Sequence, residues 1–247
     1  VAGALLIAAS VAVEWVAYSS STLVAERNFY GALRITQRPG GQDRPPLRAI
    51  VHGTVNHGAE YTEGEWRKVP LTYFHRRTAA GMLLSRESGP RRVGVVGLGA
   101  GTLAAYGRAG DVFRFYEINP LVVQMATKYF AYMNDSAAHV EVVLGDARVM
   151  MERERPQNYD VLLVDAFTGD SVPVHLLTRE AFEVYWRHLK PGGTLALHVS
   201  NRYLDLPPVV RGVAQSLGLR ATVVASQGDP ETGAAGAVWV LVDRQRE

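Results

Sequence analysis

The chain has 247 residues, of which 47% are hydrophobic and 20% are charged, so it can bury a sizeable core as one large domain or as one domain with a small appendage. The 26 Lys and Arg residues nearly balance the 24 Asp and Glu residues, and no long basic run occurs. This balance argues against nucleic-acid binding through a cationic face. Because the chain has no Cys, it has no disulfides, thiolate zinc sites or cysteine nucleophiles.

The first segment, residues 1–17, begins with an uncharged and largely apolar run that ends at Glu14. The run is too short to span a bilayer, which needs about 20 residues. Two interpretations stay open. The segment is either a buried or interfacial helix of this domain or the end of a longer membrane-embedded region.

Residues 18–88 are predicted to form a small β-rich subdomain. Short β-prone runs at 23–24 and 32–36 precede turn-forming prolines and glycines between residues 39 and 46, and residues 66–86 have a more helical pattern.

Residues 89–247 alternate between apolar strand-like runs and helical stretches. The strand candidates are Val93–Val96, Phe113–Tyr116, Val140–Leu144, Val161–Val164, Thr194–Val199, Ala221–Ala225 and Val238–Val242. The helical candidates are Leu103–Arg108, Pro120–Tyr132, Arg148–Glu154, Leu177–Leu189 and Pro208–Leu217. This alternation predicts an α/β fold with a doubly wound, mostly parallel, Rossmann-like sheet.

A glycine-rich turn with the spacing G-x-G-x-G, from Gly97 to Gly101, joins the first of these strands to a helical stretch. Glycines let the backbone turn tightly and let a ligand approach it, and the helix start beyond supplies free N–H groups. The spacing differs from the G-x-G-x-x-G of dinucleotide sites. It therefore favours another nucleoside ligand over NAD.

Acidic residues follow the next three strands. Glu117 ends the second strand, where a carboxylate can bind both ribose hydroxyls. Asp146 follows the third strand beside Ala147, and it is either an adenine-binding residue, a helix cap, or both. Asp165 follows the fourth strand, with a helix cap as the alternative. Since ligands bind outside the carboxyl ends of parallel strands, we expect these acids to share one crevice of the type that binds S-adenosylmethionine.

With these motifs in view, the sequence resembles the spermidine synthases, and in particular the bacterial branch in which the aminopropyltransferase domain follows a bundle of membrane helices. The stretches that carry the resemblance are 27–31, 52–58, 97–107, 116–120, 145–148, 165–173 and 198–204.

The resemblance implies transfer of an aminopropyl group from decarboxylated S-adenosylmethionine to a di- or polyamine, usually putrescine, with 5′-methylthioadenosine as the product. It implies neither a metal nor a tightly bound cofactor. The implied roles are Asp165 as the acceptor of the amine's proton, Glu117 at the ribose, Asp146 and Ala147 at the adenine, Gly97 and Gly99 at the methionine-derived chain, Asn56 at the nucleoside, and Asp170 and Tyr73 at the acceptor amine. Because that amine is a cation, Glu60 is a further candidate to bind it.

Other functions stay open at this point. A methyltransferase would use the same nucleoside site, and a non-catalytic polyamine- or nucleoside-sensing domain would keep Glu117 and Asp146 without needing a base. His52 and His57 flank a glycine turn but have no third ligand at a spacing typical of zinc sites. His175 and His198 fit either the crevice or the core. We expect a cytoplasmic protein or the cytosolic domain of an inner-membrane protein, and the sequence leaves a homodimer open.

Overall fold

A computed structural model describes residues 20–86, 89–167 and 172–244. The apolar segment 1–17 and the predicted amine-binding residue Asp170 lie outside the described residues. Within the described ranges, no helix is both long enough and apolar enough to cross a bilayer.

The described residues form two sheets. The first is antiparallel, with strand order β1-β2-β3-β4, and comprises β1 (Thr22–Asn28), β2 (Gly31–Arg38), β3 (Leu47–His52) and β4 (Val55–Tyr61). The second has the order β10-β11-β9-β8-β5-β6-β7, and comprises β5 (Arg92–Val96), β6 (Val112–Glu117), β7 (His139–Leu144), β8 (Tyr159–Val164), β9 (Leu189–His198), β10 (Leu219–Ser226) and β11 (Ala237–Arg244). Strands β5 to β9 are parallel, whereas β11 runs antiparallel to both of its neighbours.

Helices cover both faces of the second sheet. They are α1 (Ala79–Ser85), α2 (Pro120–Tyr129), α3 (Ala147–Arg153), α4 (Arg179–His188) and α5 (Pro207–Ser216), with 3₁₀ turns at Gly64–Lys68, Thr102–Tyr106 and Val174–Leu176. Two apolar clusters, one around Tyr185 and Leu197 and one around Phe113 and Trp239, fill the space between helices and sheet. The predicted Rossmann-like α/β class with a small N-terminal β part is confirmed.

Two predicted helical stretches differ most from the structure. Residues 103–108 form only a 3₁₀ turn, since Gly101 before it is left-handed and Gly107 after it is extended. Within 66–86 only the two ends are helical, because Pro70 lacks an N–H and Thr72 has a φ of +59°.

The two sheets are held together by an apolar contact between β2, β3 and α2. Leu33, Ile35 and Ile50 pack against Leu121 and Met125. Strand β5 lies between β6 and β8, so the chain reverses its direction of winding there. A crevice opens at such a switch point, outside the carboxyl ends of the strands. The first sheet therefore lies where it can cover this crevice.

A buried ion pair braces the start of β5 and β6. Asp111 accepts from Nε of Arg91 at 3.1 Å and from its backbone N–H at 3.1 Å, and both side chains are at most 4% exposed. Removing the charge of one partner leaves the other unpaired in the interior, which costs about 3–5 kcal/mol.

We predict that Asp111→Asn lowers the free energy of unfolding by about 3 kcal/mol or more in a urea titration. Asp243→Asn is the matched control, because Asp243 makes a two-point pair with Arg220 that is exposed to solvent. That change should cost about 1 kcal/mol or less. An equal loss of unfolding free energy in the two variants would contradict the prediction.

Candidate active site

A cavity of about 320 Å³ lies at the carboxyl ends of β5, β6, β7 and β8. Its floor contains residues that end or follow these strands, including Gly97, Glu117, Asp146 and Asp165. Its roof comes from the first sheet and the turns beside it, with Tyr30, Leu33, Ile50, His52 and His57. The structure thus brings the glycine turn and the three predicted acids into one covered space.

Two glycines of the turn are required by the close approach of other backbone. Gly97 has a φ of +95°, and a Cβ there would lie 2.2 Å from the carbonyl oxygen of Asp165. Gly99 has a φ of +55°, and its Cβ would lie 2.2 Å from the carbonyl oxygen of His57. The missing side chain of Gly97 lets the end of β8 lie beside the turn. The missing side chain of Gly99 lets the roof of the cavity pack directly against the turn.

Glu117 is held by backbone donors at the end of β6. Its side chain accepts from the N–H of Leu98 at 3.0 Å and from the N–H of Asn119 at 2.8 Å, and the residue is 8% exposed. Burial raises the pKa of Glu117, and the backbone hydrogen bonds oppose that rise. Each carboxylate oxygen keeps a lone pair that could accept from a ribose hydroxyl.

Asp146 is both a helix cap and part of the cavity wall. Its Oδ1 accepts from the N–H of Val149 at 3.0 Å, and its Oδ2 lies 2.9 Å from Nε2 of His175. Asp146, Ala147 and His175 all line the cavity. The cap fixes the carboxylate at the start of α3, where Asp146 and Ala147 line the cavity.

Asp165 lies at the end of β8, and its backbone N–H donates to the carbonyl of Val96 at 2.9 Å. Its side chain is 8% exposed, and its Oδ1 lies 2.6 Å from Nδ1 of His198. Tyr73, which also lines the cavity, hydrogen-bonds to the same carboxyl group. Burial, followed by the negative charge of Asp165, raises the pKa of Tyr73 well above its usual range. Tyr73 is therefore a neutral donor to the carboxylate.

The cavity carries an excess of acidic groups. Glu117, Asp146 and Asp165 line it, and the described lining residues include neither Lys nor Arg. The basic side chains at its wall are those of His52, His57 and His175. Such a cavity favours a cationic ligand over an anionic one.

The structure keeps Asn56 out of the cavity. Its side chain is exposed, and its Oδ1 accepts from the N–H of Gly58 at 2.8 Å. Successive residues of a strand point to opposite faces, so the neighbouring His57 reaches the cavity instead. The role of Asn56 at the nucleoside stays a prediction, which this position of its side chain does not support.

Glu60 is also not part of the cavity. It is 2% exposed, and both of its carboxylate oxygens accept from the N–H of Ala131, at 2.9 and 3.1 Å. Burial raises the pKa of Glu60 to about 7. The side chain ties the chain beyond α2 to the first sheet rather than facing a substrate.

His198 is the feature that the sequence left ambiguous. It is 6% exposed at the last residue of β9, directly behind Asp165. The available signal was its position at the end of a strand predicted to follow β8, since neighbouring parallel strands place their end residues side by side.

Comparison with known proteins finds relatives in sequence and neighbours in fold. No family model matches the chain. It is 34% identical over 128 residues to a polyamine aminopropyltransferase of Vibrio vulnificus, covering 49% of this chain and 40% of that protein. It is also 34% identical over 109 residues to an N-terminal histidine N-methyltransferase of Emericella nidulans, covering 42% of this chain and 19% of that protein. The matches thus span less than half the length of these relatives.

The fold comparison covers almost the whole chain. A spermidine synthase of Thermotoga maritima superposes with a TM-score of 0.60 at 15% identity, covering 92% of this chain and 74% of that one. The match therefore includes the first sheet as well as the Rossmann-like part. The chain is similar in sequence to a polyamine aminopropyltransferase and shares the fold of the spermidine synthases, so the predicted resemblance to that family is confirmed.

Proposed function

We propose that this chain is an aminopropyltransferase that moves the aminopropyl group of decarboxylated S-adenosylmethionine to a di- or polyamine such as putrescine. The observation that carries the proposal is the covered cavity in which three carboxylates face the ligand space without Lys or Arg among the described lining residues. Both proposed substrates are cations. The proposed donor lacks the carboxylate that such a cavity would repel.

In the proposed complex, Glu117 binds the ribose, Asp146 and the backbone of Ala147 bind the adenine, and the turn at Gly97 and Gly99 borders the sulfonium side of the donor. Asp165 faces the acceptor amine. Asp170, outside the described residues, remains a predicted second acid for that amine. Residues 18–88 would act as the cover and residues 89–247 as the catalytic domain.

The proposed reaction is a displacement at carbon. The lone pair of a neutral amine attacks the aminopropyl carbon that is bonded to the sulfonium sulfur. The new C–N bond forms, and the bond between that carbon and sulfur breaks. Its electron pair goes to sulfur, which leaves as the neutral thioether of 5′-methylthioadenosine. Asp165 accepts a proton from the attacking nitrogen. The remaining work is orientation of two bound molecules, which is a large part of such catalysis.

A methyltransferase is the main competing function, because a relative named for that activity matches 42% of this chain. The roof formed by the first sheet and the acidic cavity favour the aminopropyl donor. A cytoplasmic location, a homodimer and a link to a preceding membrane domain remain predictions from the family resemblance.

The proposal predicts the product. Incubation with decarboxylated S-adenosylmethionine and putrescine should give an amine heavier by one aminopropyl group, together with 5′-methylthioadenosine, when the mixture is analysed by mass spectrometry. Intact S-adenosylmethionine with putrescine serves as the paired reaction. Methylated putrescine from that reaction, with no aminopropyl product from the first, would move the chain to the methyltransferases, and no product from either would favour a sensing domain.

Asp165→Asn should lower kcat by about 10²–10⁴-fold, the usual loss for a missing general base. The amide can still accept from His198, so the fold should persist. The thermal shift with 5′-methylthioadenosine should also persist. Higher pH should recover part of the rate, because more of the acceptor amine is then neutral. A variant with close to the parent kcat would rule out Asp165 as the base.

The main effect of Glu117→Gln should be weaker binding of the nucleoside. The two backbone donors at Leu98 and Asn119 need two acceptor oxygens, and an amide offers one. A lost hydrogen bond to a charged group corresponds to about 10–100-fold in affinity for 5′-methylthioadenosine. The measurement is titration calorimetry, with NAD as a ligand expected to give no binding and Asp165→Asn as the variant expected to bind normally. Unchanged affinity in Glu117→Gln would contradict the assignment.

A further inference from the structure

His198 is fixed in place by aromatic rings on both faces. Tyr73 stacks on one side, with ring centroids 4.5 Å apart and planes at 21°, and Trp239 stacks on the other at 4.8 Å and 22°. Phe167 meets the ring edge-on at 5.1 Å. The imidazole therefore has little freedom to rotate, so its two nitrogens point in set directions.

A chain of hydrogen bonds favours one tautomer of the His198 ring. The N–H of Val238 donates to Oγ of Ser200 at 2.8 Å, so the hydroxyl hydrogen of Ser200 is free to donate to Nε2 of His198, which is 2.8 Å away. The contact of 2.6 Å between Nδ1 of His198 and Oδ1 of Asp165 needs a proton between the two atoms. In this arrangement Nδ1–H donates to the carboxylate.

The donor at Nδ1 satisfies a carboxylate that is almost fully buried. The Asp165 side chain is only 8% exposed, so its oxygens depend on hydrogen-bond donors from the protein. Donors that hydrogen-bond the charged form favour it. The titratable groups in contact with the Asp165–His198 pair, among those the structure describes, are the two residues themselves and Tyr73, which also donates to the carboxylate.

From this geometry we infer that His198 is a positioning residue of the transferase: it holds Asp165 ionised and turned toward the acceptor amine. The inference rests on the proposed function and extends it to a residue behind the cavity. His198 does not line the cavity, so it acts through Asp165 and not on the substrate. Ser200 supports it by fixing the tautomer.

The test is His198→Phe, which keeps an aromatic ring between Tyr73 and Trp239 but removes the donor. We expect kcat to fall by about 10–100-fold, the size of loss typical for a supporting partner of a functional group. The affinity for 5′-methylthioadenosine should stay within about twofold, because Glu117 and Asp146 are untouched. The acidic limb of the pH–rate profile should move to higher pH, since the unsupported carboxylate binds its proton more tightly.

Two further variants separate positioning from packing. In His198→Asn the side-chain amide can take the place of Nδ1–H, so most of kcat and the parent pH profile should return. His188→Phe is the matched control, because His188 is fully buried, stacks on Tyr159 and donates one hydrogen bond of 2.8 Å from Nε2 to the carbonyl of Met151, away from the cavity. It should leave the pH–rate profile unchanged even where it lowers stability.

A second measurement, nuclear magnetic resonance of the histidine rings, needs no substrate. The ¹⁵N shifts of the histidine rings should identify His198 as protonated at Nδ1, and this signal should be absent in His198→Phe and present in His188→Phe. A proton found only on Nε2 of His198 would overturn the inference. If the parent is active and His198→Phe has the same kcat and the same pH profile as the parent, the inference is also overturned. A parent that forms no aminopropyl product would instead overturn the proposed function, so the two failures are distinguishable.

Discussion

The site depends on one electrostatic constraint: Glu117, Asp146 and Asp165 share a covered cavity whose described lining includes neither Lys nor Arg. Buried carboxylates are costly unless donors satisfy them. Here the donors are neutral or weakly basic groups, namely backbone N–H groups for Glu117, a helix start and His175 for Asp146, and His198 and Tyr73 for Asp165. They hold the acids in place without cancelling their charge, which leaves that charge available to a cation.

The first sheet makes this charge effective because it covers the cavity. Gly99 and Gly58 allow the roof to approach the glycine turn, since a Cβ at Gly58 would lie 2.7 Å from Cβ of Ala100. The N–H of Ala100 also donates to the carbonyl of His57 at 3.3 Å. A cover of this kind excludes water, and charges interact more strongly when water is excluded.

The strand-end acids could be predicted from the sequence because each follows an apolar run, and parallel strands gather their carboxyl ends at one edge. Asn56 and Glu60 could not be placed, because which face of β4 meets the crevice depends on how the first sheet packs on α2, a long-range contact. The pairing of Asp165 with His198 joins residues 33 positions apart. Predicting this pair requires the order of β8 and β9 in the sheet and the stacking of Tyr73 and Trp239 on His198. A local sequence pattern contains neither.

The central claim is that uncompensated negative charge selects the donor. Titration calorimetry with decarboxylated and intact S-adenosylmethionine, at low and at high salt, tests it most directly. Like-charge juxtaposition in a desolvated site costs several kcal/mol, so the decarboxylated form should bind at least about tenfold more tightly, and salt should narrow the difference. Equal or tighter binding of the intact form, with its carboxylate, would contradict the account.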